Sequence, residues 1–453
     1  MDAEPTHLAS LEQFAARAWR RPLTGGEQSE LRAYYATLRD KSKLTHDDAM
    51  RDMIVYVLMF PDFLYRVDNT PPAPPALSAA PKKKPQQPAA RNARAIPAKA
   101  PKHTQLPAQS LASKLSFLLW SSVPDEELLA RAAAGDLQNP DVLIAQVRRM
   151  MKDPRANALA IEFAGNWLGF RRIEDMNSVD RTRFPEFTNE LRAAMFEEPV
   201  RFLDDLIRGD KSMLEALYGR HTFVNRQLAK HYGIENLRFR QPGEWIRVND
   251  ARRYGRGGIL PMAAFLTKNS PGLRTSPVKR GYWVARTVLG EVIPPPPPSV
   301  PELPGDEAKM DLPLRQMLAK HRDNAACAGC HARFDGFGLA FEGYGPVGER
   351  RTKDLAGRAV DTKAEFPGGG EGSGVNDLIE HIRLKREQDF IRNLCRKTLA
   401  YGLSRVLLLS DEPLLEQMRA AFAAHGNRFS ALIESVVTSP QFLNRRNPDY
   451  KGD

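Results

Sequence analysis

The chain has 453 residues, of which 42% are hydrophobic and 27% charged, which is typical of a soluble globular protein with room for several domains. Its longest apolar run, residues 53–60, is far shorter than the roughly 20 residues that span a bilayer, so no transmembrane segment is predicted. The cysteines, Cys327, Cys330 and Cys395, are too few for a disulfide framework.

The net charge of +11 is concentrated in one segment. No acidic residue occurs between Asp68 and Asp125, and residues 70–109 carry seven Lys and Arg side chains, which leaves about +4 on the rest of the chain. We therefore predict that residues 70–108, rich in Pro, Ala and Lys, form a disordered linker that is solvated. No nucleic-acid partner is predicted, but the linker offers contact with an envelope surface or an anionic polymer.

Helical periodicity predicts an N-terminal domain over residues 8–69 and a second helical domain over residues 109–237. In the first domain, Thr24 and Glu27 have the spacing of a capping box. In the second, Ser122 is predicted to cap the helix that follows it, and Trp120 and Trp167 are predicted to lie in the core.

A mixed domain is expected over residues 238–350 and a helical domain over residues 351–453. Residues 245–248 alternate like a strand, and Ser276 before Pro277 predicts a helix start. The five prolines at 294–298 favour a stiff connector. Residues 439–445 repeat the pattern of residues 60–66, in which a helix is followed by a proline stop.

The sequence Cys327-Ala-Gly-Cys330-His331 has the spacing of a c-type haem attachment motif. The two thiols can bond to the porphyrin while the adjacent imidazole becomes the proximal ligand of the iron. The motif therefore predicts one covalently attached haem c, with Cys327 and Cys330 as tethers and His331 as the proximal ligand.

Two other interpretations of the cysteines stay open. A zinc site could combine Cys327, Cys330 and Cys395 with one histidine. Against this, the sequence has no second Cys-x-x-Cys pair, and Cys395 falls within the apolar stripe of a predicted helix, where a free cysteine acts as a small buried hydrophobe. The third interpretation is that the thiols are inert.

The sequence does not identify the distal haem ligand. His321 lies ten residues before His331, and His381 and Met418 follow it, so these three side chains are unranked candidates. A five-coordinate haem that is open to a small molecule is the alternative.

Several longer stretches support a resemblance to a known family. They are residues 18–24 (AWRRPLT), 63–66 (FLYR), 115–122 (LSFLLWSS), 163–168 (FAGNWL), 274–281 (RTSPVKRG), the proline run, and His321-Arg322 before the motif. The chain resembles a family of bacterial envelope proteins, abundant in planctomycetes, built from consecutive domains of unknown function (DUF1595, DUF1592, DUF1588 and DUF1585) with a cytochrome-like C-terminal region.

The resemblance implies a periplasmic or extracellular location, and covalent haem attachment implies the same. Family members usually carry an export signal and continue after the motif with Met-Asp-Pro, whereas Phe334-Asp335-Gly336 stands here. No signal peptide is visible at the N-terminus, which suggests a truncated reading frame or a divided gene.

We therefore expect a mainly α, multi-domain helical protein with a cytochrome c-like C-terminal region. The first functional hypothesis is electron transfer to or from a redox partner protein. The second is a haem enzyme of peroxidase or oxidase type, and the third is a non-catalytic envelope scaffold or glycan-associated module.

Overall fold

The computed structural model describes residues 4–65, 102–173, 176, 178–294, 304–323 and 325–446, without the side chains of residues 321, 325, 326 and 446. Most of the predicted linker and most of the proline run lie outside these residues. The described chain is mainly α-helical, as predicted, and its named strands form two-stranded pairs. It divides into two compact units, residues 1–147 with 437–453, and residues 148–436.

The first unit consists mostly of helices. Its elements are α1 (Glu4–Ala18), α2 (Gly25–Asp40), α3 (His46–Met59), α4 (Pro61–Leu64), β1 (His103–Gln105), α5 (Ala108–Trp120), α6 (Glu126–Ala134), the start of α7 (Pro140–Lys152), α21 (Pro440–Leu443) and β6 (Asn444–Arg446). The predicted capping box of α2 is present, because the Thr24 side chain accepts from the Glu27 backbone N–H while the Glu27 carboxylate accepts from the Thr24 N–H.

Residues 102–108, the end of the segment expected to be a linker, take part in the first unit. Strand β1 pairs antiparallel with β6, and Leu106 is buried. Lys114 of α5 donates to the carbonyl of Phe442 and lies 4.3 Å from the centre of its ring.

The second unit contains the remaining elements. Its helices are α8 (Gly165–Leu168), α9 (Asn189–Arg208), α10 (Glu215–Tyr218), α11 (Arg226–Tyr232), α12 (Ala263–Lys268), α13 (Pro277–Tyr282), α14 (Leu314–Arg322), α15 (Ala325–His331), α16 (Asp335–Leu339), α17 (Gly374–His381), α18 (Glu387–Leu403), α19 (Glu412–Ala424) and α20 (Phe429–Val437). Its strands are β2 (Thr222–Val224), β3 (Ile246–Val248), β4 (Lys363–Glu365) and β5 (Glu371–Ser373). Wider helical turns of the π type occur at Leu159–Ala164, Trp283–Val288 and Ile382–Arg386.

Large aromatic side chains fill the core of the second unit, as expected for Trp167. The Trp167 indole N–H donates to the Thr287 carbonyl, and the Trp283 indole N–H donates to the Leu168 carbonyl. These bonds satisfy the polar edge of each ring while its apolar face is buried. They connect α8 to the wider turn that follows α13.

A buried arginine stabilises the segment after α16. Arg280 of α13 is 1% exposed and donates to the carbonyls of Phe341, Tyr344 and Gly345. These carbonyl acceptors replace the water that burial removes from the guanidinium. It thereby fixes α13 against the chain that leaves α16.

Candidate functional site

Both motif cysteines lie on the short helix α15, which packs beside α14. Cys327 and Cys330 are half-buried and form no disulfide. Three residues correspond to nearly one helical turn, so the two side chains project from the same face. A Cβ added to Gly329 between them would meet nothing within 4 Å, so the side of the helix that Gly329 faces is open.

His331 at the end of α15 is oriented by a buried carboxylate. Its Nδ1 lies 2.9 and 3.0 Å from the two carboxylate oxygens of Asp335, the first residue of α16. Because an ionised carboxylate can only accept, the hydrogen bond places the proton on Nδ1. Nε2 is then the ring nitrogen that can coordinate a metal, and a carboxylate partner of this kind raises the basicity of a ligating imidazole.

Asp335 is only 1% exposed, and an arginine lies close to it. The Arg322 side chain at the end of α14 places its Nε 3.8 Å from an Asp335 oxygen. The carboxylate is therefore shared between His331 and Arg322. It connects α14, α15 and α16 at one point.

Three glycines allow α16 to pack close enough to its neighbours to hold Asp335 in place. A Cβ on Gly281 would clash with the Phe334 carbonyl, and one on Gly338 would clash with the Pro277 carbonyl, so α13 and α16 touch backbone to backbone. A Cβ on Gly336 would clash with the carbonyl of Glu365 in β4. The position of Asp335 thus depends on α13 and β4, which are distant in sequence.

Aromatic contacts complete the surroundings of His331. Its ring centre lies 5.2 Å from that of Phe334, which in turn meets Tyr282 edge-on at 5.8 Å. Phe334 is buried, so the imidazole has one apolar wall.

Two of the three candidate distal ligands are described by the structure, and both are buried. His381 is buried against Phe366, with ring centres 4.9 Å apart, and its Nε2 donates to the Pro367 carbonyl at 3.1 Å. Burial lowers the pKa of His381, which favours a neutral ring. Met418 is fully buried on α19. His321 belongs to α14, but its side chain lies outside the described part.

Cys395 is separate from the motif and is a core residue of α18. It is fully buried, and burial raises the pKa of its thiol to about 12. A thiol in that state stays protonated and is a poor metal ligand. Among the described residues, no group of three or more His, Cys, Asp and Glu side chains is arranged to hold a metal ion. The zinc interpretation therefore gains no support from Cys395.

The fold and the site define a multi-domain helical protein in which a Cys-x-x-Cys-His helix is oriented by a buried carboxylate. Four families match the chain in succession: Protein of unknown function (DUF1595) at residues 8–68, (DUF1592) at 106–234, (DUF1588) at 256–354 and (DUF1585) at 368–442. The chain belongs to the planctomycete-type family of proteins in which these domains of unknown function follow one another. The site falls within the DUF1588 match. No curated protein and no solved structure matches the chain.

The helices of the described residues give no candidate for a membrane span, since none is both long and apolar enough to cross a bilayer.

Sequence reasoning predicted the motif but missed Asp335 as its partner. The available signal was the spacing of four residues between His331 and Asp335, which is typical of a helical ion pair. The structure places the two residues on different helices, so the contact depends on the close packing of α16 and not on helical spacing.

Proposed function

We propose that the chain is a c-type haem protein that acts in electron transfer in the bacterial cell envelope. In this proposal Cys327 and Cys330 tether one haem, and His331 is the proximal ligand of its iron. The observation that carries the proposal is the His331–Asp335 hydrogen bond at 2.9 Å, because it orients an imidazole directly beside two unbridged thiols.

The donor set fits a covalently attached haem. Both thiols are partly accessible and lie on one face of α15, as two bonds to one porphyrin require. Asp335 fixes the tautomer of His331 so that Nε2 carries the lone pair. When bound, the haem would supply a one-electron couple whose potential depends on such hydrogen bonds. Arg322 offsets the charge of Asp335.

A haem enzyme of peroxidase or oxidase type is the second candidate, and a specific observation favours it. A carboxylate that accepts from a proximal histidine increases electron donation by that ligand, which stabilises the oxidised iron and favours chemistry at an open distal position. The hydrogen bond of His381 to the Pro367 carbonyl and the complete burial of Met418 favour the same candidate.

The proposal is tested by exporting the protein in a host that has the c-type maturation machinery and measuring its mass. We expect a haem mass increment that survives denaturation, and its loss when Cys327→Ala is combined with Cys330→Ala. Cys395→Ala is the matched control, because this thiol is buried in α18 and should leave the increment intact. An unmodified mass after export would contradict the proposal.

Carbon monoxide separates the two candidates once the haem is attached. An electron carrier with two protein ligands excludes small molecules, whereas an enzyme has a vacant or weakly held distal position. Slow or absent binding to the ferrous protein supports the carrier. Rapid binding together with peroxide turnover supports the enzyme.

A further inference from the structure

A groove in the second unit lies between residues 286–293 and α18 with the chain that follows it. Its volume is about 740 Å³. One wall carries the apolar side chains of Leu289, Val292 and Ile293, and Val406 and Leu407 continue the apolar surface on the other side.

The groove is strongly cationic. Six Arg and Lys side chains line it, against two carboxylates; the cations are Arg286, Arg386, Arg392, Arg396, Lys397 and Arg405. Arg386 uses both carboxylates, Glu291 and Asp389. Arg396 and Arg405 are paired with Glu412 and Asp411 from outside the lining.

Three of the six cations are not compensated. Within the part of the chain that the structure describes, Arg286, Arg392 and Lys397 form no ion pair with a carboxylate, although Arg286 does contact the Tyr282 hydroxyl. The pKa of Lys397 is lowered by burial and by the neighbouring charges of Arg286 and Arg396. Like charges held together in this way repel one another, and an anionic ligand would relieve that repulsion.

Exposed apolar side chains occur on the same surface. Val292 is 88% exposed and Val406 is 84% exposed, and both line the groove. Leu408 and Leu409, which follow directly, are also exposed. Among the described residues 148–436, the strongly exposed large apolar side chains all fall within 291–293 or 384–409. Apolar residues beside charged ones are typical of a protein-binding surface, while a small anion needs only the charges.

Two ion pairs that share Glu291 connect the groove to the chain segment that follows the motif. Glu291 accepts from Arg386 of the groove wall at 2.5 Å and from Arg333 at 2.9 Å. Arg333 is two residues after His331. A protein bound in the groove would therefore lie beside the chain segment that carries the motif.

We propose that this groove is the docking surface for an acidic partner protein whose carboxylates meet Arg286, Arg392 and Lys397 and whose apolar side chains cover Val292 and Val406. That the partner is a redox protein rests on the proposed function, whereas docking itself does not need the haem. Opposite charge on the partner would speed the encounter, and the apolar contact would slow its release.

The experiment uses the full chain and a fluorescent synthetic peptide of alternating glutamate and leucine as the probe. Binding is measured by anisotropy at low and at physiological ionic strength, with and without attached haem. We expect binding that weakens with salt, and a loss of about tenfold or more in affinity for Arg392→Glu combined with Lys397→Glu. Val406→Ser should weaken binding with little change in its salt dependence.

The matched control is Lys230→Glu combined with Lys353→Glu, which makes the same charge change at two exposed sites of the same unit outside the groove. Circular dichroism establishes that each variant is folded. Equal losses in the control and groove variants would overturn the proposal. So would a polyglutamate peptide that binds as tightly as the probe and ignores Val406→Ser, since the groove would then be a general polyanion site. Peptide binding by a protein that shows no haem mass increment after export would contradict the proposed function but would still support the docking surface.

Discussion

At the scale of single residues, the pair formed by His331 and Asp335 decides how the motif can work. A buried carboxylate beside an imidazole is costly unless each group satisfies the other, and both Asp335 oxygens lie within 3.0 Å of Nδ1. The bond pushes electron density towards Nε2, the nitrogen that would ligate the iron. The reduction potential of the proposed haem should therefore be low for a c-type haem.

We predict that Asp335→Asn raises the reduction potential of the haem-loaded protein, because an amide is a weaker acceptor than a carboxylate. The expected rise is on the order of 60 mV, which is a tenfold step in a one-electron equilibrium. Redox titration followed by optical spectra measures it. Asp323→Asn is the control, since it removes one exposed charge near the motif without touching His331. The same potential in wild type and Asp335→Asn would show that the hydrogen bond does not tune the iron.

Glu198 is the clearest case of a single buried acid outside the site. It is 0% exposed, its two oxygens accept from the hydroxyls of Thr222 and Tyr232, and the guanidinium of Arg256 stacks 3.7 Å from the Tyr232 ring centre. Burial raises the pKa of Glu198 from its ordinary 4.5 to about 7. The folded protein therefore keeps this proton over a range in which the unfolded chain has lost it.

We predict that this proton makes the free energy of unfolding fall as the pH rises from 4.5 to about 7. The folded state binds more protons in that window, and the full effect is about 3 kcal/mol. Glu198→Gln, which keeps one acceptor oxygen and, like the protonated acid, carries no charge, should remove this slope. Urea unfolding of both proteins across the window measures the difference. Burial lowers the pKa of His231 to about 4. Its contribution to the pH dependence is the same in both proteins and therefore cancels in the comparison. Parallel pH curves would contradict the prediction.

At the scale of elements, local sequence signals predicted helix starts and a strand correctly where local backbone geometry alone determines them. The capping box at Thr24, the start of α13 at Ser276 and the strand at residues 246–248 are all confirmed. The cap predicted at Ser122 is wrong: Asp125 caps α6, with its side chain accepting from the Leu128 N–H. Pro124 explains the difference, because it disfavours helical geometry at the residue before it and so delays the helix start.

The repeated sequence pattern is also confirmed in structure over residues 60–65 and 439–444. Phe60 and Ser439 are both extended, with φ/ψ of −69°/142° and −73°/147°, and each precedes a short helix that begins with proline. Tyr65 and Asn444 end those helices at the same φ of −119°. Proline in the first turn and the extended residue before it are sufficient to produce this geometry twice.

The candidate site was predictable only in part, for a physical reason. Cys327, Cys330 and His331 are contiguous, so spacing identifies them. Asp335 reaches His331 only because α16 is held against α13 and β4, and nothing local in the sequence specifies that packing. The packing of glycines against carbonyls that are distant in sequence leaves no periodic pattern in the sequence from which it could be predicted.

We predict that Gly338→Ala displaces α16, since the new Cβ would clash with the Pro277 carbonyl. Overpacking of a closely packed backbone contact should cost about 1–3 kcal/mol or more in the free energy of unfolding. Denaturant unfolding measures this loss. Gly343→Ala is the control, because its Cβ would meet only the Thr362 methyl at an ordinary 3.5 Å. Equal stability of the two variants would exclude the glycine contact as the support of α16.

At the scale of the whole molecule, the charge count along the sequence located the excess positive charge in the linker. It did not reveal the cationic groove. Residues 383–405 contain seven Lys and Arg side chains but only Glu387 and Asp389 as acids. Acidic residues elsewhere balance that cluster in the total, so the net charge does not reveal it. Folding separates the charges in space, and α18 gathers several of the cations on one face of the groove.

The N-terminal helices form a separate buried cluster within the first unit. Its buried members come only from residues 11–57; they are Leu11, Ala15, Ala18, Trp19, Leu31, Tyr35, Leu38, Ala49, Met53 and Val57. Arg21 bridges Glu27 and Asp62, and the Trp19 indole N–H donates to the Val57 carbonyl. These bonds join the ends of α1, α2 and α3 without help from later residues.

We therefore predict that a fragment of residues 1–65 folds alone into these helices. A chain of this length buries only about 60% of its surface, so its free energy of unfolding should be a few kcal/mol. Thermal unfolding followed by circular dichroism should be cooperative. Met53→Ala, which removes a fully buried side chain at a cost of about 2–5 kcal/mol, should abolish the transition, whereas Met59→Ala at a 66% exposed site should leave it unchanged. A non-cooperative transition in the unaltered fragment would mean that the cluster needs the rest of the first unit to fold.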